Sequence, residues 1–285
     1  MAENSGVKQV QNFNSNPIES AGYFEVPGAH LYTVLHSVAD PIARVLLIGP
    51  FASERHYSYI PWVRWARYLA SRGVECLRYD YRGVGESTGV FEEMSFENWS
   101  EDVELLAGWL NRRTPEAPFL LQGLQLGAVL ASNAFEKNIG DGLLLWAPTE
   151  DANQALRTLL LRQVATANMF KYGRERKPIS QYIHQLETGV SVEVEGYQWS
   201  SKQWLDSLKF APPKHIEGDS FIGGKPVRVV KLEKGAAPLV KGSSVEYEGI
   251  GKDFSWLYAE NYEWIRSHYG RCDGQAIVRN KLRLR

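Results

Sequence analysis

The pentad Gly123-Leu124-Gln125-Leu126-Gly127 lies between a short apolar run, 119–122, and a run of small residues, 128–135. Small flanking residues permit the strained strand-to-helix turn that lifts a central side chain clear of a sheet, the arrangement in which a nucleophile is presented. The central residue here is Gln125. Its amide lone pair is delocalised, so it donates and accepts hydrogen bonds but does not attack a carbonyl at neutral pH. The backbone N–H of Leu126 opens the next helix, and a second N–H comes from Phe51 or Ala52, just after Gly49-Pro50. Helix ends expose unpaired donors and a partial positive charge, so these groups form a candidate anion-binding pair. The expected ligand is a small molecule with a carbonyl or carboxylate group. Gln125 either supplies an amide contact to it or only satisfies local backbone groups.

Other reactive side chains are sparser. Ser53-Glu54-Arg55-His56, read as a loop, is the densest ionisable set near this turn; Glu54 and His56 do general acid–base work if both face inward and are solvated surface groups otherwise. Ser53 and Ser87 are hydroxyls without an elbow, and Arg82 is expected to tie its loop to nearby carboxylates. His184, His215 and His268 have no cysteine or histidine at ligand spacing, so neither a metal nor another cofactor is expected. Trp199 and Trp204 either line a ligand cleft or pack in the core.

The elements that must hold these residues alternate between short apolar runs and amphipathic stretches. That rhythm predicts βαβ units and a mainly parallel sheet with helices on both faces. An antiparallel pair, 21–26 and 31–36, is broken at Pro27-Gly28; strands follow at 44–48, 74–79, 119–122 and 142–146. Apolar spacing predicts helices over 60–71, 96–110 and 128–135. From 149 to 224 the rhythm changes to a long helix near 155–170 and an alternating stretch at 190–197, which predicts a cap over the strand ends. Strands at 227–232 and 245–247 and a helix at 256–268 complete the pattern. The expected divisions are a disordered extension (1–20), a core in two parts (21–148 and 225–270) around the cap (149–224), and a basic tail (271–285).

Bulk properties narrow the partners. Hydrophobic residues make up 44%, charged residues 23%, and the formal net charge is −1, so a nucleic-acid partner is not expected. There is no signal-like apolar segment at the start and no run long enough to span a membrane. The two cysteines, Cys76 and Cys272, are too few for a disulfide framework. A cytoplasmic location is expected, and a protein partner remains open.

Gly49-Pro50-Phe51 at a strand end, the loop from Asp80 to Ser87 with the pattern D-x-R-G-x-G-x-S, and the pentad around Gln125 occur together in one order. In that conjunction the chain resembles α/β-hydrolases of the serine-aminopeptidase and monoglyceride-lipase type over 21–269. The segments GPFASERHYSY (49–59), GVGESTGVF (83–91), GLQLGAVLAS (123–132), LLLWAPTEDANQALRTLLLRQVA (143–165) and VEVEGYQWS (192–200) are similar to the second type of exosortase-system-associated hydrolase. The resemblance implies an α/β-hydrolase fold with a cap, and a lineage link to exopolysaccharide or protein-sorting systems. It also exposes departures. Gln125 stands at the nucleophile position, Gly235 aligns with the acid of an E-x-D motif, and Lys252 takes the histidine position of G-x-G-H. Conventional serine-hydrolase chemistry needs a hydroxyl or thiol, an imidazole and an orienting carboxylate. The expectation is therefore a pseudoenzyme-like accessory protein. The alternative is an active hydrolase, lyase or epimerase using relocated residues such as Glu54, His56 or Lys252, the last as a desolvated lysine base or nucleophile.

Overall fold

The computed structural model describes residues 18–169, 177–212, 218–231 and 254–270. Eight strands form one sheet: β1 (Ile18–Val26), β2 (Ala29–Ser37), β3 (Ala43–Ile48), β4 (Val74–Tyr79), β5 (Phe119–Leu124), β6 (Gly142–Trp146), β9 (Gly218–Ile222) and β10 (Lys225–Val230). Their spatial order is β1-β2-β4-β3-β5-β6-β10-β9. The five strands from β4 to β10 pair in parallel, while β1, β2 and β9 run antiparallel to their neighbours. Every residue of β3, β5 and β6 is buried, as expected of parallel strands covered on both faces.

The period-two alternation of β3 divides the core. Leu46 and Ile48 join a cluster with α2 (Phe96–Arg113) and α3 (Leu126–Glu136), whereas Val45 and Leu47 face α1 (Ala52–Ala70) and α7 (Ser255–Tyr269). Helix α2 begins at a reciprocal cap: the Asn98 N–H donates to Ser95 Oγ (3.1 Å) and the Ser95 N–H to Asn98 Oδ1 (3.2 Å). Between β6 and β9 come α4 (Ala152–Met169), α5 (Ile179–Glu187), the hairpin β7 (Val192–Val194) and β8 (Tyr197–Trp199), and α6 (Ser201–Ser207). Leu156, Leu160, Leu186, Trp199 and Trp204 from this segment belong to the same apolar cluster as α2 and α3. Both tryptophans are therefore core residues. This sheet with helices on both faces is the α/β-hydrolase fold.

Four expectations need correction. The first helix starts at Ala52 and runs through Pro61, so Ser53 to His56 form its first turns and not a loop. Pro61 lacks an N–H and frees the carbonyl of Tyr57, a residue on the exposed side where solvent can satisfy it. The stretch 190–197 is one arm and the turn of a hairpin: Glu195 and Gly196 have φ of 50° and 85°, a two-residue connection that matches strand twist. Strand β9 lies inside the span expected to be cap, yet it pairs with β10 at the sheet edge. Ile18 to Ser20, expected in the extension, already belong to β1. The strand expected at 245–247, His215 and the basic tail lie outside the described residues.

Candidate ligand site at the elbow

Gln125 adopts φ 52°, ψ −120° between β5 and α3, a backbone region that costs a non-glycine residue about 1–3 kcal/mol. The surroundings hold it there. Its N–H donates to Trp146 O (2.9 Å), and its carbonyl accepts from the Ala128 N–H (2.9 Å). The flanking glycines allow the close approach: a Cβ on Gly127 would lie 2.2 Å from Gly49 O, and one on Gly123 would lie 2.3 Å from Ala128 Cα. The elbow thus packs its backbone directly against the loop that follows β3. Among the described residues, no acceptor faces the N–H groups of Phe51, Ala52 or Leu126. The sequence points to a donor pair from Leu126 and the Phe51-Ala52 turn; all three residues are buried, 4%, 1% and 1% exposed.

The Gln125 side chain is not alone. Its Nε2 donates to Glu54 Oε2 (3.1 Å), and Glu54 Oε1 accepts from Arg162 Nη1 (2.5 Å). Arg162, on α4, also grips Glu195 through Nε and through Nη2 (2.6 Å), and its Nη2 lies 3.5 Å from Ser53 Oγ. One guanidinium therefore bridges two carboxylates, one on the core helix α1 and one in the β7–β8 turn. Burial raises the Glu195 carboxyl, but hydrogen bonds from Arg162 and Ser53 together with the guanidinium charge outweigh it, so Glu195 stays below the usual carboxylate range. The Glu195 hydrogen bond, opposed by burial and reinforced by Glu54, raises the Arg162 guanidinium above its ordinary value. Both groups are held ionised. Gln125 Oε1, in contrast, is buried and has no partner among the described residues.

Strain collects here. Of the non-glycine residues with positive φ, Ala52 and Gln125 flank or belong to this network, while Glu195 takes its positive φ from the hairpin turn. A strained backbone around a polar constellation is a recurrent mark of a ligand site.

The structure unites Glu54 with Gln125 but separates His56 from both. His56 is exposed, with Nδ1 3.3 Å from Ser53 O and its ring 6.5 Å from that of Tyr197. Glu54 and His56 do not face inward together. Ser87 Oγ donates to Asp80 O (2.6 Å) and accepts from the Tyr32 N–H (2.8 Å), a structural tie of its loop. Arg82 pairs with Asp102, the carboxylate role anticipated for it. Gly235 and Lys252 lie outside the described residues. Arg162 and Glu195 escaped the sequence reading, since Arg162 and Glu54 are 108 residues apart. Only the Glu195-Gly196 turn pattern offered a local signal. Among the described residues, no three His, Cys, Asp or Glu side chains gather as a metal site, and no helix is long and apolar enough to cross a membrane.

Residues 62–187, less than half of the chain, match the family model for serine aminopeptidase, S33. No curated protein sequence matches. Among solved structures, a lidless α/β serine hydrolase from Xanthomonas campestris is 22% identical with a TM-score of 0.40, the alignment covering 46% of this chain and 62% of that one. The chain thus spans less than two thirds of that relative. A soluble variant of monoglyceride lipase from Saccharomyces cerevisiae is 17% identical over 71% of this chain and 70% of that one (TM-score 0.46), and a hypothetical protein from Pseudomonas aeruginosa is 16% identical over 80% and 83% (TM-score 0.49).

Proposed function

We propose that this chain is an α/β-hydrolase-fold protein without a serine-hydrolase triad, a cytoplasmic accessory protein whose elbow binds a small carboxylate- or carbonyl-bearing ligand. The observation that carries the reading is the contact of Gln125 with Glu54, itself paired to Arg162: the position from which a nucleophile would attack holds an amide inside a charged network. The N–H groups of Leu126 and the Phe51-Ala52 turn, unpaired among the described residues, supply donors for a ligand oxygen. Arg162 supplies a guanidinium matched to a carboxylate, which a ligand reaches by exchanging with Glu54 or Glu195. With Gly235 and Lys252 at the acid and histidine positions, no proton relay to an acyl-enzyme is available. The setting in exopolysaccharide or protein sorting rests on the sequence resemblance.

A second reading, in which Glu54 activates water against a bound carbonyl, has the proximity of Glu54 to the elbow in its favour and the outward placement of His56 against it. Lys252 belongs to this reading as a possible base or nucleophile. Assays with a panel of esters and amides separate the two. The expected result is turnover indistinguishable from buffer. Turnover abolished by Glu54→Gln or Lys252→Ala would establish the second reading, and turnover abolished by Ser53→Ala or Ser87→Ala would mean that a relocated serine does the chemistry.

A further inference from the structure

The sheet ends on one side at β1, which pairs with β2 alone over nine consecutive residues. The register is one-to-one throughout, so the strand carries no bulge. The direction of its free backbone groups follows from β2. His30 and Tyr32 turn theirs away from β1: the Thr88 N–H donates to His30 O (3.0 Å), the Asp80 N–H to Tyr32 O (2.9 Å), and the Tyr32 N–H to Ser87 Oγ (2.8 Å). Successive residues of a strand alternate in direction, so Leu31, Thr33 and Leu35 serve β1, bonding to Phe24, Gly22 and Ser20 opposite them. The N–H and C=O groups of Glu19, Ala21 and Tyr23 therefore point out of the sheet, and among the described residues they have no partner.

An open edge is a template for another strand, and natural edges are commonly blunted by lysine, proline or a bulge. Strand β1 (IESAGYFEV) has none of these, and its only charges, Glu19 and Glu25, sit next to its ends. Its sequence suits a second copy of itself. When two copies run antiparallel about a two-fold axis at Ala21, Ile18 faces Phe24, Glu19 faces Tyr23 and Ser20 faces Gly22 of the other copy. The outward-facing positions 19, 21 and 23 are then the ones that meet, so each exchanges both backbone hydrogen bonds. Ile18 and Tyr23, each more than half exposed, gain cover. Phe24 offers Ile18 a fixed apolar surface, because its ring already rests edge-on against Trp109 of α2 (5.9 Å between centroids). Charge does not oppose the pairing: Arg67 donates to Glu19 through Nε (2.8 Å) and Nη2 (3.1 Å), and Glu25 lies outside the paired stretch. An axis moved by one residue, to Gly22, would set Glu19 against Glu25, and like charges in opposed positions destabilise a ladder.

We propose that the chain forms a two-fold dimer through antiparallel β1–β1 pairing centred on Ala21, which joins two eight-stranded sheets into one. The partner is a second copy because the register that satisfies the edge also pairs its exposed apolar residues and keeps its acids apart. Sedimentation velocity of the full chain over a concentration series tests it. The expected result is a concentration-dependent rise from the monomer mass to twice that mass. Ala21→Pro is expected to raise the dissociation constant about tenfold or more, because it deletes an N–H on the axis without removing any bond to β2. Ala21→Lys, which sets two ammonium groups against each other from an exposed position, is expected to do the same. Leu105→Lys, which alters an exposed leucine on α2, is expected to leave association unchanged. A monomer at every concentration would overturn the proposal, as would a dimer indifferent to both Ala21 variants. So would amides of Ala21 and Tyr23 protected from exchange in the monomer, since another segment would then hold the edge.

Discussion

Two arginines join elements that lie far apart in the chain, and their surroundings differ. Arg82 donates to Asp102 through Nε (2.7 Å) and Nη2, with side chains 8% and 0% exposed. Arg162 spans Glu54 and Glu195 with exposures of 39%, 20% and 19%. The first pair has no water to replace a lost partner, so it fixes the loop before α2 and stays closed. The second lies where water or a ligand carboxylate can take over from either glutamate at small cost, so it can open. Both are cation–carboxylate contacts between separate elements. Burial decides which is architecture and which is a latch.

The largest expected effect comes from breaking the buried pair. Asp102→Ala leaves the Arg82 guanidinium buried and unpaired, and urea unfolding should show a loss of about 3–5 kcal/mol. A loss below about 1 kcal/mol would mean that the pair is wetter than its burial implies.

Acid sharpens the same contrast at His36, 2% exposed beside Glu19 and Arg78. Its pKa is lowered to about 4, chiefly by burial, so the fold binds the neutral form and the unfolded chain takes up the proton first. The stability it contributes is complete above the unfolded value of about 6.5 and is lost as pH falls from there toward 4, up to about 3 kcal/mol. Urea midpoints of wild type and His36→Gln, compared at pH 7 and pH 4.5, should converge by part of that amount. Parallel pH profiles would show that His36 is not the group responsible.

Arg162→Gln should cost no more than about 1 kcal/mol. Amide exchange in α4 and the 192–199 hairpin should nevertheless rise, because the change releases both from Glu54. Unchanged exchange would make the network ornamental. Glu195→Asn should have the smallest effect, within about 0.5 kcal/mol, since it loses the Arg162 contact but places asparagine at a positive φ before Gly196, a favoured turn pair. A loss well above 1 kcal/mol would mark Glu195 as indispensable to the fold.

Much of this architecture was legible because its signals are local. The elbow is a five-residue pattern whose glycines are demanded by backbone contact, and the alternation of buried runs with amphipathic stretches reveals the sheet. The start of α1 was misplaced because the apolar spacing that marks it begins only near Trp62, whereas the helix continues through Pro61, whose freed partner, the carbonyl of Tyr57, lies on the solvent side. The stretch 190–197 was read as strand-like because the short arms of the hairpin alternate on either side of a two-residue turn. Arg162 and Glu195 were invisible for a different reason: their roles come from tertiary proximity to Glu54, and no spacing along the chain encodes that.

The central claim is that the elbow presents an amide held by charge and forms no acyl-enzyme. Intact-protein mass spectrometry after incubation with a fluorophosphonate tests it most directly. The account expects the mass to remain that of the unmodified chain; a single stoichiometric adduct that maps to one hydroxyl would contradict it.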